Sequence, residues 1–231
     1  MEIIAEIGLN FNGDLELAYR LIAAAKKNGA NVAKFQLYDA KKLFSKEGNP
    51  WYKYNCSTEL SYLEAKKLKE ACDNLNIEFM ASAFDEERVD WLEDLKVSRY
   101  KIASRSIFDM ALIDKVIKTG KQVLISLGMW DKSELPKLNG NNIGYLYCVS
   151  KYPAPLEDIK ISKVDFDLFK GFSDHTIGIT SACAAMTRGA QVIEKHFTLD
   201  TEMYGPDHIC SMTPDELNSL SAFRDELKLC L

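Results

Sequence analysis

Eight short apolar runs recur along this chain, most of them followed by a turn and then an amphipathic helical pattern, and no Pro/Gly/Ser-rich linker interrupts the series. Strands that alternate with helices in this way run parallel, because each helix carries the chain back to the edge of the sheet where the next strand starts. The runs lie at 2–7, 31–37, 77–83, 99–103, 122–127, 143–149, 168–172 and 191–196. Eight such units in 231 residues predict a closed (β/α)8 barrel, a single domain over 1–231. A doubly wound open sheet is the runner-up, but the chain has neither a GxGxxG fingerprint nor a P-loop to support it.

The helices are read from spacing and caps. Leu15, Ala18, Leu21, Ile22 and Ala25 recur at helical intervals, with Lys26 and Lys27 in the last turn and Gly29 past the end. Ser61 with Glu64, and Thr213-Pro214-Asp215-Glu216, form capping boxes at two helix starts. Between the second strand and the Ser61 helix lies a long polar and aromatic loop with Trp51, Tyr52 and Tyr54. It reads equally as a lid, a sugar-stacking surface or a loop packed over its own aromatics. The fifth helix is expected to be abbreviated, since Pro136, Asn139-Gly140 and Asn141-Asn142 crowd its segment. Residues 29–36 faintly echo 189–196, an internal repeat at strands two and eight. Lys66-Lys67-Leu68-Lys69 is read as a solvated helix face.

Composition narrows the function. Twenty-nine Lys+Arg against 34 Asp+Glu leave a net charge of −5, which argues against a broad nucleic-acid surface. No run of about 18 apolar residues offers a membrane span, and the acidic start Met1-Glu2 lacks the basic flank of a signal peptide. A cytoplasmic protein is therefore expected. Its six cysteines, with no CxxC pair, are expected to be free thiols acting as small core residues. Asn55-Cys56-Ser57 fits a glycosylation pattern that carries no weight without secretion.

Polar residues collect at the carboxyl ends of the strands, where a barrel builds its site. Glu6, Lys34 with Gln36, Ser82, Lys101 with Ser104, Ser126, Ser150 with Tyr152, Ser173 with His175, and Glu194 with His196 all fall there. Pairs at i and i+2 share a face and so converge on one mouth. His175 and His196 end adjacent strands and can bind one divalent metal while leaving positions for substrate oxygens. The plainer alternative makes His175 a strand-end residue satisfied by Asp174 or a carbonyl, and His196 a core residue. His208, on the Gly205-Pro206-Asp207-His208 loop, reads equally as surface. Lys34 and Lys101 either pair with Glu6 or Glu194 or, with the serine hydroxyls, hold an anionic ligand.

Ile4-Ala5-Glu6-Ile7-Gly8-Leu9-Asn10, Lys34-Phe35-Gln36, Tyr100-Lys101-Ile102-Ala103-Ser104, Cys148-Val149-Ser150-Lys151-Tyr152-Pro153, Ser173-Asp174-His175-Thr176, Glu194-Lys195-His196-Phe197-Thr198 and Gly205-Pro206-Asp207-His208 resemble the N-acetylneuraminate (sialic acid) synthase family in order and spacing. The resemblance implies a barrel that condenses phosphoenolpyruvate with the open-chain aldehyde of an N-acyl amino sugar, giving a nonulosonic acid and phosphate. His175 and His196 would bind manganese, with magnesium or cobalt as alternatives. Lys34, Lys101, Ser82, Ser104, Ser126, Ser150 and Ser173 would hold the phosphate and carboxylate of phosphoenolpyruvate. Glu6, Gln36, Tyr152 and Asp207 would face the sugar. Glu6 is expected to handle protons there, as a carboxylate that facing lysines keep ionised.

Phe11 stands where the family usually has histidine, Arg105 where glycine is common, Leu127 where threonine is common and Ala83 where proline is common. Phe11 is expected to remove a polar group from the sugar side. The family's C-terminal antifreeze-like domain, which supplies an arginine to the partner's sugar site across a dimer, has no counterpart in the 231 residues; a homodimer remains compatible. Two other classes stay open: a non-catalytic sugar- or phosphate-binding relative, and another metal-dependent phosphoenolpyruvate aldolase.

Overall fold

A computed structural model describes residues 1–231. Eight parallel strands, β1 (Glu2–Gly8), β2 (Val32–Leu37), β3 (Glu78–Ala83), β4 (Arg99–Ile102), β5 (Gln122–Ser126), β6 (Ile143–Cys148), β7 (Phe169–Asp174) and β8 (Val192–His196), pair in sequence order and close on themselves. The expected (β/α)8 barrel is therefore the observed fold. The helices are α1 (Leu15–Lys27), α2 (Ala40–Leu43), α3 (Tyr52–Ser57), α4 (Tyr62–Asn74), α5 (Glu86–Asp94), α6 (Met110–Lys118), α7 (Thr180–Thr187) and α8 (Pro214–Cys230). No helix is long and apolar enough to cross a membrane.

Period-two alternation sorts each strand into two faces. Outward residues such as Ile3, Ala5, Ile7, Phe35, Phe79, Tyr100, Ile125, Phe172 and Ile193 join the apolar stripes of the helices in one continuous core. Burying a side chain such as Leu21 there contributes about 1.5–3 kcal/mol. Inward residues form layers. At the amino end Arg99 bridges Glu2 and Glu78. The middle layer is an apolar plug of Ile4, Val32, Met80, Leu124, Leu146 and Val192. Two residues farther along those strands stand Glu6, Lys34, Ser82, Ser126, Cys148 and Glu194, so the plug gives way to polar chemistry in one step. Gly171 is the β7 member of the plug, and a Cβ there would lie 1.9 Å from the Val192 carbonyl oxygen.

Both capping boxes form as expected, at Ser61 and Thr213. Other local expectations are corrected. The segment from Gly128 to Asn142 holds no helix at all, because its proline and Asn-Gly turns deny it a full hydrogen-bonded turn. β7 runs on to Asp174, two residues past the expected end, since Ser173 and Asp174 continue the ladder against Glu194 and Lys195. The aromatic loop contains α2 and α3; Trp51, Tyr54 and Tyr204 pack on one another with ring centroids 5.3–5.8 Å apart. All six cysteines are free, but only Cys72, Cys148 and Cys210 are buried, while Cys56 and Cys230 are exposed.

Candidate functional site

The polar layer opens into a pocket of about 50 Å³ lined by, among others, Glu6, Lys34, Gln36, Ser82, Lys101, Ser104, Ser126, Tyr152, Ser173, His175, Glu194 and His196. The sequence points to fourteen residues at this mouth. Those twelve line the pocket, counting Tyr152, whose ring is half-exposed at the rim. Asp207 and Ser150 line instead a wider outer cavity of about 610 Å³, which shares Gln36, Ser104, Tyr152 and His196 with the pocket.

Charge is organised around two lysines and two glutamates. Lys34 Nζ lies 2.6 Å from Glu6 and 3.5 Å from Glu194, and donates to Ser82 Oγ at 3.2 Å. Lys101 Nζ lies 3.6 Å from Glu194 and donates to the Ile102 carbonyl. The paired-lysine alternative is thus realised, without excluding a ligand. Burial works to raise both carboxyls, but the outcomes diverge. At Glu194 the charges of Lys101 and Lys34, with a hydrogen bond from Ser173 Oγ, bring the pKa down to about 2. At Glu6 burial prevails over Lys34, aided by the like charge of Glu194, and the pKa is raised. Against the expectation that facing lysines keep Glu6 ionised, burial outweighs Lys34 at 2.6 Å and moves this carboxyl upward. Two carboxyls pushed apart in this way are suited to separate roles, one a fixed charge and one a proton carrier. Gln36 Nε2 donates to Glu6 Oε1 at 2.8 Å and fixes its orientation.

The two imidazoles meet across the β7–β8 seam, ring centroids 5.7 Å apart, with Tyr152 4.1 Å from the His175 ring. His175 Nδ1 lies 2.9 Å from the Val149 carbonyl, which makes that nitrogen a donor; burial works to lower the pKa of this ring, but Cys148 and this carbonyl outweigh it and raise it. Burial lowers the His196 pKa to about 4, so this ring is neutral. Its buried Nδ1 has no hydrogen-bond partner and lies 4.0 Å from an Asp207 carboxylate oxygen. Two adjacent imidazoles, one braced by a carbonyl and one neutral with an orphaned nitrogen beside a carboxylate, fit a divalent cation. No group of three or more His, Cys, Asp or Glu side chains forms a ready-made cage, so a bound ion would keep open positions for ligand oxygens. The buried hydroxyls of Ser126 and Ser150 also lack protein partners.

Sequence reasoning did not find several supports. Asp174 and Lys195 share the outward parity and pair at 3.2 Å behind the histidines, both side chains fully buried. Asp174 also accepts from the Thr176 N–H and the Ser181 hydroxyl, and Lys195 donates to the Thr176 carbonyl. Cys148 Sγ lies 3.8 Å from His175 Nδ1, so it belongs to the mouth as well as to the core. Gly128 donates to Ser104 Oγ, and a Cβ on it would meet Ser150 Oγ at 2.4 Å. Their positions on the strands carried the only available signal.

Two loop residues are settled. His208 is fully buried, its ring nitrogens 2.7 Å from Thr198 Oγ1 and 3.1 Å from Asn12 Oδ1; it clasps the β8 loop to the β1 loop. Phe11 does not face the mouth, contrary to expectation. The turn at Gly8, with φ of +53°, sends the chain out of the barrel, and Phe11 packs edge-on against Phe35 in the core, 6.3 Å between centroids. Ala83 and Leu127 are likewise core residues.

The NeuB family model matches residues 21–229 of the chain. An uncharacterized protein of Methanocaldococcus jannaschii is 40% identical over 230 residues, covering 94% of this chain and 68% of its own. The N,N'-diacetyllegionaminic acid synthase of Legionella pneumophila is 37% identical over 247 residues, covering 94% and 69%. A crystal structure of the N-acetylneuraminic acid (sialic acid) synthetase of Leptospira borgpetersenii, in complex with citrate, superposes with a TM-score of 0.90 at 32% identity, covering 99% of this chain and 84% of that one.

Proposed function

The chain belongs to the NeuB family, and from that membership we propose that the barrel, residues 1–231, is the catalytic domain of a nonulosonic acid synthase. In this reading it condenses phosphoenolpyruvate with the open-chain aldehyde of an N-acyl amino sugar and releases phosphate. The observation that carries it is the mouth itself: two buried imidazoles with ring centroids 5.7 Å apart, beside a cluster in which Lys34 lies 2.6 Å from Glu6 and 3.5 Å from Glu194, and Lys101 3.6 Å from Glu194.

Lys34, Lys101 and the hydroxyls of Ser82, Ser104, Ser126, Ser150 and Ser173 hold the phosphate and carboxylate oxygens, donors matched to an anion. Glu6, Gln36, Tyr152 and Asp207 face the sugar. His175 and His196 hold a divalent ion, manganese or a similar metal, which when bound supplies Lewis-acid polarisation of the aldehyde oxygen. The enol carbon forms the new bond to the aldehyde carbon, and the former aldehyde oxygen takes up a proton. Water then adds to the resulting cation, and the tetrahedral intermediate expels phosphate to leave a keto acid. Glu6, its pKa raised by burial, moves the proton near the sugar, while Glu194 remains a fixed negative charge that orients both lysines.

The test is phosphate release from phosphoenolpyruvate with manganese and a panel of N-acyl amino sugars. His175→Ala and His196→Ala should each lower turnover about a thousandfold, the several kcal/mol of a Lewis acid. Each should also weaken manganese binding measured by electron paramagnetic resonance. Acceptor-dependent phosphate release that survives both substitutions and a chelator would refute the assignment.

A further inference from the structure

The outer cavity carries a feature the proposed reaction does not use. Among the residues lining it, Arg105 is the single cation and Asp207 the single carboxylate, set between the apolar walls of Phe44, Trp51 and Phe84. Arg105 follows Ser104 at the end of β4, so the same short 3-10 turn places one side chain in the inner pocket and the next in the outer cavity. Its guanidinium is held from behind: one N–H donates to the Leu43 carbonyl at 3.2 Å, and the group lies over the Phe44 ring at 5.0 Å. No carboxylate forms an ion pair with it. This contrasts with Lys34 and Lys101, both engaged by Glu194, and with Lys195, engaged by Asp174. A guanidinium has five donors in a planar fork that suits the paired oxygens of a phosphate or carboxylate. A carbonyl and a ring face orient that fork without neutralising its charge.

We propose that Arg105 is a specificity-determining residue that binds an oxyanion, a phosphate or a carboxylate, carried by the acceptor sugar at the end remote from its aldehyde. The inference rests on the synthase reading. The aldehyde end meets the histidine pair, and the chain of carbon atoms leads out through Gln36, Ser104 and Tyr152, shared by both cavities, to the guanidinium. Asp207 stands on the same cavity wall as His196 and serves hydroxyls, whereas Arg105 is the position at which added negative charge is favoured.

The experiment compares kcat/KM for a neutral N-acetylhexosamine, its 6-phosphate and its 6-carboxylate (uronic acid) counterpart, using the wild type, Arg105→Ala and Arg105→Lys. The wild type should prefer an anionic acceptor at least tenfold. Arg105→Ala should abolish that preference through KM for the acceptor, and Arg105→Lys, which keeps charge without the fork, should restore part of it. The phosphate and uronate arms tell the two oxyanions apart. Equal losses on neutral and anionic acceptors, or a rise confined to the KM for phosphoenolpyruvate, would overturn the inference and assign Arg105 to the enolpyruvate phosphate. Calorimetric binding of the hexosamine 6-phosphate to wild type and Arg105→Ala is measured in parallel. If no acceptor releases phosphate, the synthase reading fails, while tighter binding to wild type than to the variant still supports the oxyanion site and equal binding refutes it.

Discussion

Lys195→Met isolates the support behind the two histidines. The pair it breaks has both side chains at zero exposure, Nζ 3.2 Å from Asp174 Oδ2, and it sits at the last ladder step before His175 and His196. Methionine nearly fills the lysine's volume, so little cavity arises; what remains is a buried carboxylate with two donors, Thr176 N–H and Ser181 Oγ. Removing one partner of such a pair costs about 3–5 kcal/mol. For a domain of this size each kcal/mol lowers Tm by about 2–4 °C, so a fall of about 6–20 °C is expected. The assay is urea and thermal unfolding at neutral pH with chelator present, so that metal binding does not add its own stabilisation. Asp174→Asn alone should also destabilise, and the double variant should cost less than the sum of the two by about 1–3 kcal/mol. A Lys195→Met protein within about 0.5 kcal/mol of wild type, the range of an ordinary surface substitution, would refute the reasoning. So would strict additivity of the two changes.

Three further outcomes are expected. Phe11→His, which would bring the family's usual residue to that position, places an imidazole in the core and should cost about 1–3 kcal/mol without improving the KM for any acceptor. A lowered acceptor KM would show that position 11 reaches the sugar after all. The folded-state pKa of Glu194 is depressed from 4.5 to about 2, so its stabilisation is present above 4.5 and is lost as the pH falls toward 2. The stability gap between wild type and Glu194→Gln, followed by urea unfolding of the metal-free proteins, should therefore close across that interval; a gap independent of pH there contradicts the lysine-field account. Gly171→Ala places a Cβ 1.9 Å from a backbone oxygen of the neighbouring strand. It should cost at least about 3 kcal/mol or yield insoluble protein, and a variant of wild-type Tm would remove Gly171 from the plug.

The pattern of apolar runs determined the barrel, because parallel strands separated by helices and carrying inward and outward faces have few ways to bury both. It also determined which end of the barrel holds chemistry: Glu6, Lys34, Ser82 and Glu194 lie two residues beyond Ile4, Val32, Met80 and Val192, and a period of two is legible in a string of letters. Local caps were legible for the same reason, as at Ser61 and Thr213, where both partners are three residues apart. What only the tertiary structure decided was every question of distance between strands. Whether Lys34 spends its charge on Glu6 or Glu194, why Glu6 is raised while Glu194 falls, that Phe11 turns to Phe35 and away from the mouth, and that Asp174 meets Lys195 all depend on side chains far apart in sequence. Burial and Coulomb energies depend on surroundings in three dimensions, and a one-dimensional period fixes only the direction in which each side chain leaves its strand.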